Sequence, residues 1–146
     1  MIRLVPVHKA YRYIEVLYEI LQERTNLPDV NISHGDLPCF AEHRKFVMSE
    51  PYRCWYFGLL KDKTIVGTVY LTIANEIGIN VIAEHRGKGY GKEMLGRLLA
   101  EHDPLPAVSG MRQDRFVANI NPNNAVSIKL FTGAGARLIQ QTYRFD

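Results

Sequence analysis

The residues best suited to chemistry form one short glycine-rich run, Arg86-Gly87-Lys88-Gly89-Tyr90-Gly91. Glycines at three alternate positions leave the backbone N–H groups of the run open to a ligand, because no side chain covers them. An alternating apolar segment precedes the run and an amphipathic segment follows it, so the positive end of a helix would point at the same place. These features predict an anion-binding turn, for which pyrophosphate is a fitting guest.

Two common phosphate-binding motifs do not account for this run. The nucleoside-triphosphate motif requires Gly-Lys followed by Ser or Thr at a fixed spacing, and the chain does not have it. The dinucleotide motif follows the first strand of its fold and needs an acidic residue at the end of the next strand. Here the turn follows the fourth predicted strand, so a different fold must present it.

The elements that must position the turn alternate along the whole chain. Apolar residues at helical spacing predict helices, and Val-, Ile- and Thr-rich alternating segments predict strands. Short junctions between the three central strands predict an antiparallel meander, and the Pro- and Asn-containing stretch 25–38 predicts a loop. The predicted strands are 2–7, 52–60, 64–73, 76–82, 115–120 and 137–145, and the predicted helices are 9–24, 39–49, 90–102 and 123–132. This order predicts an α/β (α+β) chain whose mixed sheet has helices on both faces.

The composition fits one globular domain over residues 1–146, with 47% apolar and 23% charged residues. No run of 18 apolar residues predicts a membrane span, and the first residues do not resemble a signal peptide. We therefore expect a cytoplasmic protein. The net charge of +3 suits an anionic small molecule. The chain has no Lys- and Arg-rich tract that would favour a nucleic-acid surface.

Two blocks of the sequence resemble the GNAT superfamily of acyl-CoA-dependent N-acyltransferases. In the family signature, Arg or Gln is followed after two residues by Gly and, after one more, by Gly or Ala, which Arg86, Gly89 and Gly91 match. The preceding segment 79–81 is similar to the family's fourth strand. The segment 118–135 looks like its fifth strand and fourth helix. The resemblance covers almost the whole chain and is specific for fold and cofactor, but not for the acceptor.

The resemblance implies a GNAT fold, with a mixed, mostly antiparallel sheet of about six to seven strands and about four helices. It also implies acetyl-CoA as co-substrate, without a metal. The fourth strand would diverge from the fifth after Val81, so that the pantetheine arm would pair with the free strand edge. The expected CoA-binding residues are Ile79, Val81, Arg86, Gly87, Lys88, Gly89, Tyr90, Gly91, Asn124 and Ser127. Asn124 could equally be a helix-capping residue.

Direct attack of an amine on the thioester is the reaction that the resemblance implies. The Val81 N–H would stabilise the oxyanion, and a base within hydrogen-bond reach would take the amine proton. Glu76, at the start of the fourth strand, is the first candidate base, and His43 is the second. Phe131 stands where many family members carry a tyrosine that protonates the leaving thiolate. That proton would then come from Tyr143 or Ser127, or the thiolate would leave without assistance.

The sequence thus predicts an N-acetyltransferase that acts on a primary amine in a ternary complex. The acceptor would be a small-molecule amine, such as an amino sugar, or a protein amine, and a homodimer is compatible with the resemblance. The alternative is a catalytically weak GNAT-fold protein that binds CoA as a sensor or assembly protein. A third alternative, a nucleic-acid or ribosomal acceptor, would require binding that weakens steeply with salt.

Overall fold

Four strands and four helices form in the residues that this computed structural model describes, 1–27 and 36–146. The strands are β1 (Arg3–Pro6), β2 (Cys54–Leu59), β3 (Ile65–Leu71) and β4 (Ile77–Val81), and the helices are α1 (Ile14–Thr25), α2 (Phe40–Met48), α3 (Tyr90–Glu101) and α4 (Ala125–Gly133). Each predicted helix is present. The first one begins later than predicted because two 3-10 turns precede it. Residues 28–35 of the predicted loop, including His34, lie outside the described residues.

The four strands pair in the order β1-β2-β3-β4, and every pair is antiparallel. The predicted meander of the three central strands is therefore confirmed. Lys63 and Asn75, with φ angles of 69° and 61°, give the two connecting turns their left-handed residues. Short turns thus join β2 to β3 and β3 to β4, whereas α1 and α2 lie between β1 and β2 in the sequence.

The predicted count of six to seven strands is too high for the described residues. The 115–120 segment makes a single parallel bridge, between Glu76 and Val117, and then separates from β4. The predicted strand 137–145 does not form, and its apolar side chains are solvent-exposed because they face no sheet edge in the described structure. The predicted fold class is nevertheless confirmed, because helices pack on an antiparallel sheet. One short parallel contact joins the 115–120 segment to this sheet.

The sheet carries a hydrophobic core on each face. One core joins α3 to β3 and β4, and the other joins α1 and α2 to β2. Helix α3 lies very close to the sheet, because a Cβ atom on Gly58 would lie 2.6 Å from the Met94 sulfur and one on Gly67 would lie 3.0 Å from its methyl carbon. Met94 is fully buried at this contact. This close packing sets the N-terminus of α3 beside the end of β4.

A buried asparagine ties the loop after α3 to the turn between β3 and β4. The Asn75 side chain is fully buried. It donates hydrogen bonds to the carbonyls of Leu105 (3.0 Å) and Gln113 (2.7 Å) and accepts one from the Leu105 N–H (2.8 Å). Its backbone carbonyl also accepts the Val117 N–H at 2.9 Å. Asn75 therefore fixes where the 115–120 segment meets β4.

Candidate active site

The glycine-rich turn lies at the N-terminus of α3, as the sequence predicts. Gly89 is the N-cap residue, with a φ of 83°, and Gly87 has a φ of 77°. A Cβ atom on either glycine would meet nothing within 4 Å. The backbone conformation itself therefore favours glycine, and open space lies in front of the turn. The N–H groups of the first helical turn have no intrahelical acceptor, so backbone donors border that space.

The outer edge of β4 offers a second set of backbone donors. The Ile77 N–H donates to the Val117 carbonyl (2.8 Å), whereas the Ile82 N–H points the other way, to Val66 on β3 (2.9 Å). Because donors alternate along a strand, the N–H groups of Ile79 and Val81 face the outer edge with that of Ile77. Beyond the bridge at Val117, the 115–120 segment no longer covers this edge. Divergence thus begins after Ile77, earlier than predicted, and leaves a longer free edge.

The glycine turn and the β4 edge meet in one place. A Cβ atom on Gly91 would lie 3.4 Å from side-chain atoms of both Val81 and Leu130. Leu130 belongs to α4, so the first turn of α3, the end of β4 and α4 converge there. Tyr90 packs against the α3 core, next to this point. The two sequence blocks that carry the resemblance are therefore adjacent in space.

The Arg86 guanidinium is held by two other groups of the protein. Its Nε donates to the Val81 carbonyl at 3.0 Å, and its Nη2 pairs with the carboxylate of Glu23 on α1. The side chain therefore ties the last turn of α1 to the end of β4. Lys88, the other charged residue of the run, is exposed. Contributions of Arg86 and Lys88 to pyrophosphate binding stay predictions.

Asn124 is the N-cap residue of α4, and its side-chain oxygen accepts the Ser127 N–H at 3.1 Å. The capping role is thereby observed, whereas contacts of Asn124 and Ser127 with a cofactor stay predictions. Phe131 of the same helix is buried in the α3 core. An apolar ring there supplies no proton to a leaving group.

Glu76 lies where β4 and the 115–120 segment begin to diverge. It bridges to Val117, and its backbone carbonyl accepts the Thr72 N–H at 2.9 Å. Its side chain projects from the same face as that of Gly78, two residues on, which the Tyr70 ring covers. The pKa of Tyr52 and that of Tyr70 are both raised, mainly by burial and in smaller part by the negative charge of Glu76. Of the candidate bases, Glu76 is therefore the one placed beside the free strand edge.

His43 and Tyr143 occupy different surroundings. The His43 ring is buried among aromatic rings, 5.4 Å from Tyr18 and 6.5 Å from Phe46. Burial lowers its pKa, and its Nε2 atom has no hydrogen-bond partner. Tyr143 is 83% exposed and donates a hydrogen bond to Gln141 in the C-terminal segment. The structure does not bring Tyr143 to the glycine turn by packing, so its proposed role as proton donor stays a prediction without structural support.

A pair of tyrosines covers β4 on the face opposite α3. Tyr52 and Tyr70 stack with centroids 4.0 Å apart and planes 5° apart. A Cβ atom on Gly78 would lie only 2.0 Å from the Tyr70 ring. The predicted strand 52–60 begins two residues too early, because β2 begins at Cys54 and Tyr52 packs against Trp55 instead.

Sequence reasoning did not single out Tyr70. The sequence pattern that could have identified it is a glycine inside the neighbouring strand, since such a glycine often marks a close approach of another group.

Among the described residues, no group of three or more His, Cys, Asp and Glu side chains could hold a metal ion. None of the helices in that part of the chain is both long enough and apolar enough to span a membrane.

Residues 14–136 match the Acetyltransferase (GNAT) family, and the chain belongs to this family. A search of curated proteins found no match. Among solved structures, the chain is similar to a putative acetyltransferase from Salmonella typhimurium with acetyl-CoA (TM-score 0.68, 18% identity, 92% of this chain and 78% of that one).

Two further solved structures share the fold, and they are of enzymes named for different acceptors. One is spermidine N-acetyltransferase from Vibrio cholerae with CoA and spermine (TM-score 0.71, 14% identity, 92% of this chain and 79% of that one). The other is phosphinothricin acetyltransferase from Sinorhizobium meliloti with acetyl-CoA (TM-score 0.67, 21% identity, 92% of this chain and 74% of that one). At these identities the similarity shows the fold alone.

Proposed function

We propose that this chain is an N-acetyltransferase that transfers the acetyl group of acetyl-CoA to a primary amine within a ternary complex. The observation that carries the proposal is the convergence of two sets of backbone donors. The first turn of α3 and the outward N–H groups of Ile79 and Val81 lie at one end of β4. Membership of the GNAT family supports the same reaction class.

The donor side of the site fits a long molecule with an anionic end. A pyrophosphate would accept hydrogen bonds from the amides of residues 87–91, where open space lies in front of Gly87 and Gly89. An amide-containing arm would pair with the free β4 edge as an added strand does. In that position the Val81 N–H would donate to the developing oxyanion.

The acceptor side provides a base beside the same edge. The amine nitrogen forms a bond to the acyl carbon, the carbon–sulfur bond breaks, and the sulfur leaves as a thiolate with the bonding electrons. Glu76, directly or through one water, would take the proton that the amine loses. Because Phe131 is buried and cannot donate a proton, that proton would come from Ser127 or Tyr143, or the thiolate would leave unassisted.

Paired glycine variants test the donor site. We expect Gly89→Glu to abolish CoA binding in titration calorimetry, because a side chain and a negative charge would enter the space reserved for pyrophosphate. Gly110→Glu is the matched control: Gly110 also has a left-handed φ, 76°, with nothing within 4 Å of an added Cβ. Both variants carry the same backbone strain and charge change. Equal CoA affinity in the two variants would contradict the proposed site.

A turnover assay separates catalysis from CoA binding alone. Buried Phe131 favours the alternative of a GNAT-fold protein that senses CoA, because the usual proton donor is missing. Purified protein is incubated with acetyl-CoA and a panel of amines, and release of free thiol is followed. We expect release with at least one amine and a large loss in Glu76→Gln. Tight CoA binding without thiol release from any amine would support the sensor instead.

A further inference from the structure

The tyrosine pair over β4 has the properties of a binding surface. Tyr52 and Tyr70 are only partly buried, and the close approach of Tyr70 to Gly78 sets their stack directly on β4. Gly78 immediately precedes Ile79, whose N–H faces the free edge. A molecule lying on the stack would therefore reach the edge where the acyl group is proposed to lie.

Two opposite charges act on this pair. Burial is the main cause that raises the pKa of Tyr70, while the positive charge of Arg24 lowers it and the negative charge of Glu76 raises it. The same two charges act on Tyr52 in the same directions. Arg24 is in the last turn of α1, and Glu76 immediately precedes β4. Glu76 precedes Gly78 by two residues, so its side chain projects from the same face of the sheet as the Tyr70 ring. Helix α1 packs on that face, and Arg24 follows the buried Leu17 and Ile20 on its sheet-facing side.

Arg24 lacks a partner in the described part of the chain. Its Nε atom is buried and makes no hydrogen bond there, and neither Arg24 nor Glu76 forms an ion pair with another described residue. A buried guanidinium N–H without an acceptor is costly. Carboxylate and phosphate groups match the geometry of a guanidinium. Arg24 therefore has the character of a preformed receptor for an anionic group.

We propose that the acceptor is a primary amine that also carries a carboxylate or phosphate group. Its amine lies at Glu76, its anionic group binds Arg24, and its body rests on the Tyr52–Tyr70 stack. This inference rests on the proposed acetyltransferase function. It selects between the acceptors named for the two relatives, since spermine is a polycation without an anionic group.

Binding to the CoA-loaded protein tests the inference separately from turnover. Two probe pairs differ mainly in the anionic group: glucosamine 6-phosphate with glucosamine, and β-alanine with β-alaninamide. We expect one anionic probe to bind at least about tenfold more tightly than its partner, which corresponds to about 1.4 kcal/mol. The pair that shows the difference distinguishes phosphate from carboxylate. Equal or undetectable binding within both pairs, or tighter binding of spermidine than of any anionic probe, would overturn the proposal.

Two arginine variants identify the residue responsible. Arg24→Gln should remove the preference for the anionic probe and leave binding of the probe without the anionic group unchanged, and Arg24→Lys should retain part of the preference. Arg97→Gln is the matched control, because Arg97 also has a buried Nε without a partner but lies on α3, on the other face of the sheet. Preference that survives in a folded Arg24→Gln variant would refute the assignment. Because CoA cannot donate an acyl group, a failure of turnover leaves this test intact.

Discussion

We expect the buried Asn75 side chain to contribute substantially to the free energy of unfolding, because it stabilises the region next to the free β4 edge. Replacement by glycine keeps the left-handed backbone, φ 61°, and removes the three side-chain hydrogen bonds to Leu105 and Gln113. Those partners are partly exposed, so water can replace the lost contacts. At about 1 kcal/mol for each hydrogen bond, we expect a loss of about 3 kcal/mol in the free energy of unfolding.

Alanine at the same position separates the cost of the left-handed backbone from the loss of the side-chain hydrogen bonds. A Cβ atom in the left-handed region costs about 1 kcal/mol more, so Asn75→Ala should lose about 4 kcal/mol. Urea unfolding measures both values. With a slope of about 2 kcal/mol per molar urea, the glycine variant should unfold at about 1.5 M less urea than the original chain.

Lys63→Gly is the matched control for this experiment. Lys63 has a φ of 69° in the turn between β2 and β3, and it is exposed. Glycine there changes the unfolded chain in the same way without removing buried hydrogen bonds. If Asn75→Gly and Lys63→Gly differed by less than about 1 kcal/mol, the three hydrogen bonds would not stabilise the protein as argued.

Three further outcomes follow from the packing. Burial lowers the pKa of His43, so the unfolded chain takes up a proton at His43 before the folded chain does as the pH falls below about 6.5. The free energy of unfolding should therefore decrease at acid pH. Urea unfolding at about pH 7.5 and about pH 5.5 should show a smaller decrease in His43→Phe than in the original chain. In Gly78→Ala, the added methyl group would meet Tyr70, so thermal unfolding should show a loss of about 1–3 kcal/mol that Tyr70→Ala partly restores. Asn124→Ala removes the cap on the Ser127 N–H and should cost about 1 kcal/mol in urea unfolding, which Asn124→Asp regains.

Each of these outcomes has a contrary result. An identical pH dependence in the His43→Phe variant would show that another group controls acid stability. Gly78→Ala as stable as the original chain would mean that Tyr70 moves aside without cost. Full stability of Asn124→Ala would mean that the cap is replaced by water.

Local chemistry allowed the glycine-rich turn to be predicted well. The left-handed glycines and the start of α3 depend on residues next to each other in the sequence, so the sequence contains the necessary information. The three central strands were predictable for the same reason, because short turns join them. The order of the two blocks around the turn then led to the family.

Pairing between distant segments was the least predictable part. The 115–120 segment has the composition of a strand, but whether it pairs depends on β4, which it meets at one position. The start of the predicted strand 52–60 was also wrong, because β2 begins only at Cys54. Arg24 and Glu76 are far apart in the sequence, and only the tertiary structure places both on the face of the sheet that carries the tyrosine pair.

The contact between α3 and the sheet determines how natural variants far from the ligand-binding surface would affect function. Gly67 lies under Met94, and a Cβ atom there would come within 2.2 Å of the Asn80 carbonyl oxygen as well. Any larger residue at Gly67 would force β4 and α3 apart, and these are the two elements that supply the proposed CoA donors. Such an allele would lose function although every residue that faces the ligand is unchanged. A survey of natural variants confined to the ligand-facing surface would miss it.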